Sequence, residues 1–497
     1  MRMEHCSFLV KAILSLCAVI CQGEVMRIPL KGGTADYVVS SWVGGRTKRS
    51  SEQRNNLIGR SGEGYYMEVE IGTPPQKLNI LVDTGSANFA VAASEDPDIT
   101  RYFTSERSTT YEESGTTVYV PYTQGDWEGI LGTDLVTIPA VVNVTVRSHI
   151  AFITKSSNFY INTSDWQGIM GLAFQAISRP DSSVVPYFDT LVQEGHVKDQ
   201  FSMQLCGASL PFNTSYSMMS GTMVMGDISP DLYTGEVLYT PIYKEWYYEV
   251  VITDVHVAGT SLSLDCKEYN FDKTIVDSGT TSLRFPTKVF KAIVAKISGS
   301  LLLQEFPSEY FWTGEEIQCW SSISIPLEAF PVVTVSLQYS DHSVFKLHLS
   351  PQHYLRAVAD PSLLDEENSC FKFGIASSNS GTVIGAVLME AFYVVFNRIN
   401  KSIGFANTTC VPKHTSGAPS YVEGPFTTES ALSACAYVKP VKDNTVTLIV
   451  AYVMTGVCIV GFLPLAVVAI YYKIRRHRDK KQFRSLPDSE NLVTDNH

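Results

Sequence analysis

The sequence predicts a mainly β protein whose body has two lobes and is followed by a single C-terminal transmembrane helix. Three observations lead to this class: short alternating apolar segments at high density, a motif repeated in the two halves of the body, and a long uncharged apolar run near the C-terminus. At 497 residues the chain has room for more than one lobe. The predicted domains are a signal peptide (1–23), a propeptide (24–49), an N-terminal lobe (61–240), a C-terminal lobe (241–410), a stalk (411–445), a transmembrane helix (446–472) and a cytoplasmic tail (473–497).

Strand patterns dominate between residues 65 and 406, and helical patterns are few. Tyr65–Ile71 alternates in character and ends at a Gly-Thr-Pro-Pro turn, and Trp246–Ile252 predicts another strand. The two clearest helical patterns cover Tyr187–Glu194 and Thr287–Ser298, the second directly after a proline. This density of strands predicts an all-β body.

A hairpin is predicted within residues 118–129, where an alternating segment leads into a polar, glycine-containing turn. With Gln124 and Gly125 at the tip, Tyr122 would lie opposite Trp127, close enough for the two side chains to interact. An aromatic cross-strand pair with a purely structural role is the alternative interpretation of this pattern.

An internal repeat divides the body into two related halves. Residues 80–85, Ile-Leu-Val-Asp-Thr-Gly, return as Thr-Ile-Val-Asp-Ser-Gly at 274–279. Each copy is followed farther along by an apolar pair and a glycine, within 168–172 and 382–386 respectively. Two lobes of similar build follow from that order.

Both ends of the chain predict a secreted body with a membrane anchor. The apolar stretch 12–21, after basic residues, is typical of a signal peptide. Val446–Tyr472 contains no charged residue and is long enough to cross a bilayer. The basic residues 473–481 that follow it favour a cytoplasmic tail, so the protein would be a type I membrane protein.

The segment between the signal peptide and the body predicts proteolytic maturation. Residues 24–49 end in Arg-Thr-Lys-Arg, so a proprotein convertase would cleave after Arg49 and leave Ser50 as the new N-terminus. A chance basic cluster is the alternative.

Charge, cysteines and glycosylation motifs agree with a lumenal body. The net charge is −12 for the whole chain but −19 for residues 50–472, because the terminal segments are basic. So acidic a body argues against nucleic-acid partners. Six cysteines lie outside the signal peptide and the membrane span, which suits three disulfides, and no close Cys-x-x-Cys pair suggests zinc. Five sequence motifs predict N-glycosylation, at Asn143, Asn162, Asn213, Asn400 and Asn407.

The repeated motif places a carboxylate directly after an apolar strand, where a charge is rare unless it is paired or functional. The glycine allows a tight turn that projects the Asp side chain, and the Thr or Ser hydroxyl is expected to fix that turn. If the lobes bring Asp83 and Asp277 together, one stays protonated while the other acts as a base toward water, as aspartic-protease pairs do. This chemistry needs no metal and no cofactor, and no Gly-x-Ser-x-Gly or His-Glu-x-x-His motif offers an alternative hydrolase.

The paired motifs resemble those of the pepsin-like aspartic proteases over roughly residues 61–410, which implies a bilobal pepsin-like fold. The resemblance to the membrane-bound beta-secretases (memapsins) is closer. It rests on Gly64-Tyr-Tyr, Leu78-Asn-Ile-Leu-Val-Asp-Thr-Gly-Ser, Val120-Pro-Tyr-Thr-Gln-Gly, Glu245-Trp-Tyr-Tyr-Glu-Val, Asp265-Cys-Lys-Glu-Tyr-Asn, Phe392-Tyr-Val-Val-Phe and Val422-Glu-Gly-Pro-Phe.

The resemblance implies roles for individual residues. Asp83 and Asp277 would be catalytic, and Tyr122 would be the flap tyrosine that covers the substrate. Arg284 would receive an acidic or polar substrate side chain; a solvated strand-end arginine is its alternative. The other substrate-binding residues would contact the substrate backbone, steady the carboxylates or line subsites: Gly85, Ser86, Thr123, Gln124, Gly279, Thr280, Thr281, Leu81, Phe159, Ile161 and Ile169.

The resemblance also implies disulfides, by cysteine order and flanking residues, between Cys206 and Cys410, Cys266 and Cys435, and Cys319 and Cys370. The chain departs from the family in three places. Ala87 replaces the usual second serine, the tail segment 488–493 only approximates an acidic dileucine sorting motif, and no cysteine follows the membrane span.

The predicted function is that of a type I membrane aspartic endopeptidase that cleaves the ectodomains of other membrane proteins, with amyloid-precursor-like substrates implied by the resemblance. Confinement to a shared membrane raises the effective concentration of such substrates. The predicted locations are the Golgi, the endosome and the cell surface, with the active site lumenal or extracellular. The alternatives are a receptor on an inactive protease scaffold, and an adhesion receptor built from repeated sandwich modules.

Overall fold

The computed structural model describes residues 26–32, 64–122, 125–139, 144–160, 165–207, 220–301, 307–321, 325–358, 368–410, 419–429, 431–438 and 445–483. The chain falls into two compact units, one extending to Tyr437 and the other beginning at Val438. The first unit contains every strand, and the second contains a single long helix in its described part.

Strands make up most of the regular structure, which confirms the predicted fold class. They are β1 Met26–Gly32, β2 Tyr65–Ile71, β3 Gln76–Asp83, β4 Phe89–Ala92, β5 Glu112–Pro121, β6 Asp126–Thr137, β7 Thr145–Ser157, β8 Gly168–Gly171, β9 Gln200–Cys206, β10 Ser220–Met225, β11 Tyr233–Pro241, β12 Lys244–Glu245, β13 Tyr248–Glu249, β14 Ile252–Val257, β15 Thr260–Ser261, β16 Thr274–Val276, β17 Leu283–Pro286, β18 Gln318–Ser321, β19 Val333–Ser340, β20 Ser343–Leu349, β21 Leu355–Val358, β22 Asn368–Phe373, β23 Ile375–Ser378, β24 Thr382–Ile384, β25 Phe392–Asn397, β26 Ser402–Thr408 and β27 Tyr421–Thr427.

Most α-helices of the described residues are short; the exceptions are α3 and the helix at the C-terminus. They are α1 Tyr187–Gln193, α2 Cys266–Tyr269, α3 Thr287–Ser300, α4 Glu309–Trp312, α5 Pro351–Tyr354, α6 Ala386–Met389 and α7 Thr445–Phe483. Both helices predicted within the body are found, and α3 is two residues longer than its pattern indicated.

The largest sheet has thirteen strands and joins the two halves of the chain. Strand β9 pairs with β25, so Met203 lies beside Val394, and β26 pairs with β11. Strand β1, from the predicted propeptide, lies between β10 and β2 in this sheet. Its side chains Ile28 and Leu30 are buried in the main core. The segment is therefore an integral strand of this form of the chain.

Three smaller sheets complete the body. The six-stranded sheet runs β12-β13-β16-β24-β17-β23, the five-stranded sheet runs β15-β14-β19-β20-β27, and β18, β22 and β21 form the third. Strand β27 comes from the predicted stalk and pairs along β20, with Leu347 beside Val422. Part of that segment thus belongs to the folded body.

The strand predicted at Trp246–Ile252 is wrong as a single element. Trp246 and Tyr247 form the turn of a tight hairpin between β12 and β13, and β14 begins only at Ile252. Alternation of aromatic and aliphatic residues does not distinguish a strand from a hairpin whose turn carries aromatic side chains. Here Lys244 lies over the Trp246 ring, 3.7 Å from its centroid, and favours the reversal.

Helix α7 covers the predicted membrane span and continues eleven residues beyond it. Within it, Ile449–Arg478 is long and apolar enough to cross a membrane, judged by length and composition. Pro464 lies inside the helix.

Candidate active site

Two equivalent pairs of parallel strands position the two aspartates of the repeated motif. Asp83 is the last residue of β3, which runs parallel to β8 with Asp83 beside Gly171. Asp277 directly follows β16, which runs parallel to β24 with Val276 beside Ile384. The second part of the sequence repeat is therefore the strand that supports each aspartate.

Each aspartate is held by its own turn through the same pair of donors. The Gly85 N–H donates to Asp83 Oδ1 at 2.7 Å, and the Ser86 hydroxyl donates to Asp83 Oδ2. In the other copy the Gly279 N–H donates to Asp277 Oδ1 at 2.9 Å, and Thr280 Oγ1 donates to Asp277 Oδ2 at 2.6 Å. Hydrogen bonds to a carboxylate fix its orientation and favour its charged form.

The two carboxylates face each other across the boundary between the lobes. A Cβ atom added to Gly85 would overlap the Asp277 carboxylate, and one added to Gly279 would overlap the Asp83 carboxylate. Only glycine leaves room for this close approach. The predicted meeting of the two aspartates is thus present in the structure, with each side chain resting on the opposite turn.

The hydroxyls of Thr84 and Ser278 join the two turns to each other. Thr84 Oγ1 donates to the Val276 carbonyl at 3.0 Å and accepts from the Ser278 N–H at 2.9 Å. Reciprocally, Ser278 Oγ donates to the Val82 carbonyl at 2.8 Å and accepts from the Thr84 N–H at 3.1 Å. Each hydroxyl therefore fixes the turns by donating and accepting, as expected, but its partners lie in the opposite turn. The sequence shows a hydroxyl in both copies but carries no information about which turn it bonds.

Burial and like charge set the electrostatics of the pair. Asp83 and Asp277 are only 4% and 8% exposed. Burial raises the pKa of Asp83 well above its ordinary value, and the nearby Asp277 carboxylate raises it further, against the opposing effect of the Ser86 and Gly85 hydrogen bonds. A buried pair of this kind retains one proton across a range where separate aspartates would both be ionised.

Strands β5 and β6 form the predicted hairpin, but its register differs from the prediction. Val120 lies opposite Trp127, and the Tyr122 N–H donates to the Gly125 carbonyl, so the tip falls one residue earlier than predicted. Tyr122 and Trp127 are diagonal neighbours on one face instead of an opposed pair. They still interact, since Trp127 Nε1 donates to the Tyr122 hydroxyl at 3.4 Å.

Tyr122 lies against an apolar wall next to the aspartates. Its ring stacks on Phe159 with 5.5 Å between centroids, and Leu81 and Ile169 belong to the same buried cluster. Burial and the charge of Asp83 raise the pKa of Tyr122. The structure thus brings together the described members of the predicted flap and apolar subsites; Thr123, Gln124 and Ile161 lie outside the described residues.

Arg284 lies in β17, half-buried as a residue but with its Nε atom enclosed. Its Nη2 donates to the Ser377 carbonyl at 3.2 Å, whereas Nε is buried without a hydrogen-bond partner among the described residues. Burial lowers the pKa of Arg284, while the charge of Asp277 opposes this shift. Thr281, also buried, accepts a hydrogen bond at its carbonyl from the Val387 N–H. A solvated strand-end arginine does not fit this environment.

Sequence reasoning did not identify why glycines recur at 171 and 385. A Cβ on Gly171 would overlap the Ala87 backbone, and one on Gly385 would overlap the Thr280 and Ser282 carbonyls. The segment after each aspartate turn therefore packs directly on the glycine of the supporting strand. The recurrence of Gly171 and Gly385 in the repeat was the only feature of the sequence that indicated this close packing.

Disulfides, glycosylation motifs and metal ligands complete the comparison with the predicted sites. All three predicted disulfides are confirmed. Asn400 is exposed, whereas Asn407 Oδ1 accepts a hydrogen bond from the Val422 N–H. No group of three or more metal-binding side chains occurs among the described residues. The other predicted sites, which lie outside the described residues, are Asn143, Asn162, Asn213 and Arg49.

Comparisons with known proteins agree with this geometry. The model of the eukaryotic aspartyl protease family matches residues 64–408. A protein described as beta-secretase from Strongylocentrotus purpuratus is 42% identical, over 97% of this chain and 94% of its own length. Pepsin II-2/3 of Oryctolagus cuniculus is 28% identical over 72% of this chain and 83% of its own, and gastricsin of Rattus norvegicus is 27% identical over 69% and 81%. The chain therefore belongs to the eukaryotic aspartyl proteases, within them to the beta-secretase family, and is an aspartic endopeptidase.

Proposed function

We propose that this endopeptidase is a type I membrane sheddase, which cleaves the ectodomains of other membrane proteins with a water molecule activated by Asp83 and Asp277. The observation that carries the proposal is the pair of buried, opposed carboxylates on equivalent turns. Amyloid-precursor-like proteins are the proposed substrates, on the basis of the similarity to beta-secretase.

The reaction would use the shared proton of the pair. The ionised carboxylate removes a proton from water, and the oxygen of that water attacks the carbonyl carbon of the scissile peptide. The protonated carboxyl transfers its proton to the carbonyl oxygen, which becomes one of the two hydroxyls of the tetrahedral intermediate. When the C–N bond breaks, one hydroxyl returns its proton to that carboxylate, and the other carboxyl passes the proton it took from water to the leaving amine. The raised pKa of Asp83 agrees with a pair that keeps one proton in the resting state.

Substrate would lie between the pair and the hairpin formed by β5 and β6. Tyr122 would close over it, since that ring is already held by Phe159 and Trp127. Leu81, Phe159 and Ile169 would form apolar subsites on the N-terminal side. Arg284 would pair with an acidic or polar side chain of the substrate, because its Nε–H has no hydrogen-bond acceptor among the described residues.

Membrane anchorage would come from α7, with the body on the lumenal side and the basic tail in the cytosol. The secretory pathway, the Golgi, the endosome and the cell surface are the proposed locations. A proprotein convertase would cleave after Arg49. Because β1 is a paired strand with a buried apolar face, cleavage alone would not release it, and its departure would need a segment that replaces it in the sheet.

The pH profile of peptide cleavage tests the mechanism. We expect the full-length protein to cleave peptides in a bell-shaped profile on the acidic side of neutrality, because the singly protonated pair is the active form. Asp83→Asn and Asp277→Asn should each lower kcat by at least about 10³-fold, within the range for losing general acid–base catalysis. Activity of either variant close to that of the unmodified protein would refute the mechanism.

The sheddase role needs a separate measurement. The same protein, with and without residues 439–497, should be compared on a membrane-anchored substrate and on a soluble peptide with the same cleavage sequence. Shared confinement predicts a strong loss on the anchored substrate alone when the anchor is removed. Equal losses on both substrates would argue against a role that depends on the membrane.

A further inference from the structure

A cluster of aromatic and lysine side chains surrounds the point where the chain leaves the folded body. We call it the exit patch, and it consists of Lys244, Trp246, Tyr247, Phe271, Lys273 and Tyr437. The Phe271 and Tyr437 rings meet edge to face with 5.4 Å between centroids, and those of Trp246 and Tyr247 meet at 5.0 Å. Lys273 links the two pairs, because its Nζ lies 5.9 Å from the Tyr247 ring and its backbone N–H donates to the Phe271 carbonyl at 2.9 Å.

The exit patch is fixed in place by covalent and polar links. The disulfide between Cys266 and Cys435 holds the chain two residues before Tyr437, and Asn270 Nδ2 donates to the Cys435 carbonyl at 3.1 Å. Cys435 and the following alanine are buried against Val251. Tyr437 is therefore presented from a rigid segment.

The patch combines exposed apolar surface with paired charges. Phe271 is 50% exposed although it is a large apolar residue, and Trp246, Tyr247 and Tyr437 are each partly exposed. Lys273 pairs with Asp272 at 2.8 Å. The Glu249 carboxylate accepts a hydrogen bond from Trp246 Nε1 and lies close to both lysines, so two acidic neighbours balance the two lysines of the patch. Aromatic rings beside balanced charges are the composition that proteins place at the headgroup level of membranes.

The covalent path to the membrane anchor is short. Eight residue steps lead from Tyr437 to Thr445, where α7 begins. A fully extended chain spans about 3.6 Å per residue, so this path cannot exceed about 29 Å. The length of this connection and its starting point restrict which surfaces of the body can reach a bilayer, and the exit patch lies at its origin.

We propose that the exit patch docks on the surface of the bilayer that α7 crosses, with its rings at the headgroup level of neutral, zwitterionic lipid. This inference rests on the membrane anchorage proposed for α7 and is independent of the aspartate chemistry. Docking would limit the tilting of the body on its tether. It would thereby fix the height above the membrane at which substrates are cleaved.

The test uses the fluorescence of Trp246 in the full-length protein. The chain is placed in nanodiscs of phosphatidylcholine, either unmodified or brominated near the headgroup end of its acyl chains, because bromine quenches only nearby indoles. Subtracting the signal of Trp246→Phe isolates the contribution of Trp246. We expect brominated lipid to quench that contribution by about half or more, since interfacial rings lie at headgroup depth.

A double variant, Phe271→Ser with Tyr437→Ser, removes the apolar contact of the patch and should abolish the quenching of Trp246. Tyr310→Ser, which removes a similarly exposed ring from α4, is the matched control and should leave it unchanged. The double variant should cleave a soluble peptide at the unmodified rate, while cleavage of a substrate anchored in the same nanodisc falls several-fold or its cleavage position spreads.

Two results would overturn the docking proposal: a Trp246 contribution equal in the two lipids, or equal quenching in the double variant. A patch that contacts a second copy or a lumenal protein would give the first of these results. If the unmodified protein does not cleave the soluble peptide but its Trp246 is still quenched, the proposed function is contradicted and the docking proposal stands.

Discussion

The two aspartate turns have the same hydrogen bonds but different surroundings. Asp83 and Asp277 each accept from a glycine N–H and from a hydroxyl, and Thr84 and Ser278 link the turns in a reciprocal pattern. Beyond the turns the likeness ends. The N-terminal side supplies an aromatic hairpin, and the C-terminal side supplies the half-buried cation Arg284 in β17.

This difference separates two tasks. The symmetric part places two like charges in one small buried space, which is the requirement for sharing a proton. The asymmetric parts decide what covers the pair and what charge lies near it, so they give the two carboxylates unequal roles. Equivalent substitutions in the two turns should therefore have equal effects on stability. Substitutions in the hairpin or at Arg284 should have effects with no counterpart on the other side of the site.

The largest expected effects come from the hydroxyls that join the turns. Thr84→Val and Ser278→Ala each remove two cross-lobe hydrogen bonds and leave buried backbone groups unpaired. With two groups left unsatisfied at about 1–3 kcal/mol each, each variant should lose roughly 2–6 kcal/mol of unfolding free energy. Chemical denaturation measures this.

The comparison between these two variants is the informative part. If the pattern is truly reciprocal, the two losses should agree to within about 1 kcal/mol, which is the usual spread for equivalent hydrogen bonds. A large loss in one variant beside none in the other would show that only one hydroxyl carries the junction.

The next largest effect concerns the activity of variants at Tyr122, which belongs to the N-terminal side of the site. Tyr122→Ala removes the stack on Phe159 and the bond from Trp127, so the hairpin would no longer be positioned over the pair. We expect kcat/KM for a peptide to fall about 100-fold, the scale of loss from misplaced active-site groups. Tyr122→Phe keeps the ring stack and should lose no more than about tenfold, the scale of one neutral hydrogen bond. Equal losses in the two variants would contradict a positioning role for the ring.

The raised pKa of Asp83 predicts how stability changes with pH. In the unfolded chain this carboxyl titrates near its ordinary value of 3.8, while in the fold it retains its proton to higher pH. The folded form binds the extra proton, so its contribution to stability is full below about pH 4 and is lost as pH rises through the folded pKa, by up to about 1.4 kcal/mol per pH unit.

Asp83→Asn removes this titration, so the stability of the variant relative to the unmodified protein should increase from pH 4 upward. Denaturant unfolding at several pH values gives that difference and cancels contributions from groups common to both proteins, such as His353, where burial lowers the pKa to about 4. A difference that does not change with pH would mean that Asp83 titrates alike in both states.

The parts of the fold and site that have a local sequence pattern were the parts that could be predicted. The two Asp-Thr/Ser-Gly copies and the strand pattern at Tyr65–Ile71 are such features, because local patterns carry local geometry. The repeat itself indicated that the two copies act together. The resemblance to a known family added the disulfide pairing, which cysteine spacing leaves open.

The rest depends on contacts between distant segments. Nothing local in the Thr84 hydroxyl shows that its partners lie in the other lobe. Nor does the hairpin sequence fix its register, since moving the tip by one residue leaves the apolar pattern intact and turns the Tyr122–Trp127 pair from opposed to diagonal. The inclusion of β1 in the main sheet has the same origin, because its pairing with β10 joins residues nearly 200 positions apart.

The smallest expected effect compares the two hydroxyls that hold the outer carboxylate oxygens. The Ser86 hydroxyl stabilises the charged form of Asp83 and so lowers its pKa, against the larger effect of burial. Ser86→Ala should raise the pKa of Asp83 further and move the alkaline limb of the peptide-cleavage profile upward by about one pH unit, the equivalent of one hydrogen bond to a charged group. Thr280→Val removes the corresponding donor from Asp277 and is the matched control. If Asp83 holds the shared proton, this second variant moves the alkaline limb less; equal displacement in both would mean that the two carboxyls share the proton evenly despite their different surroundings.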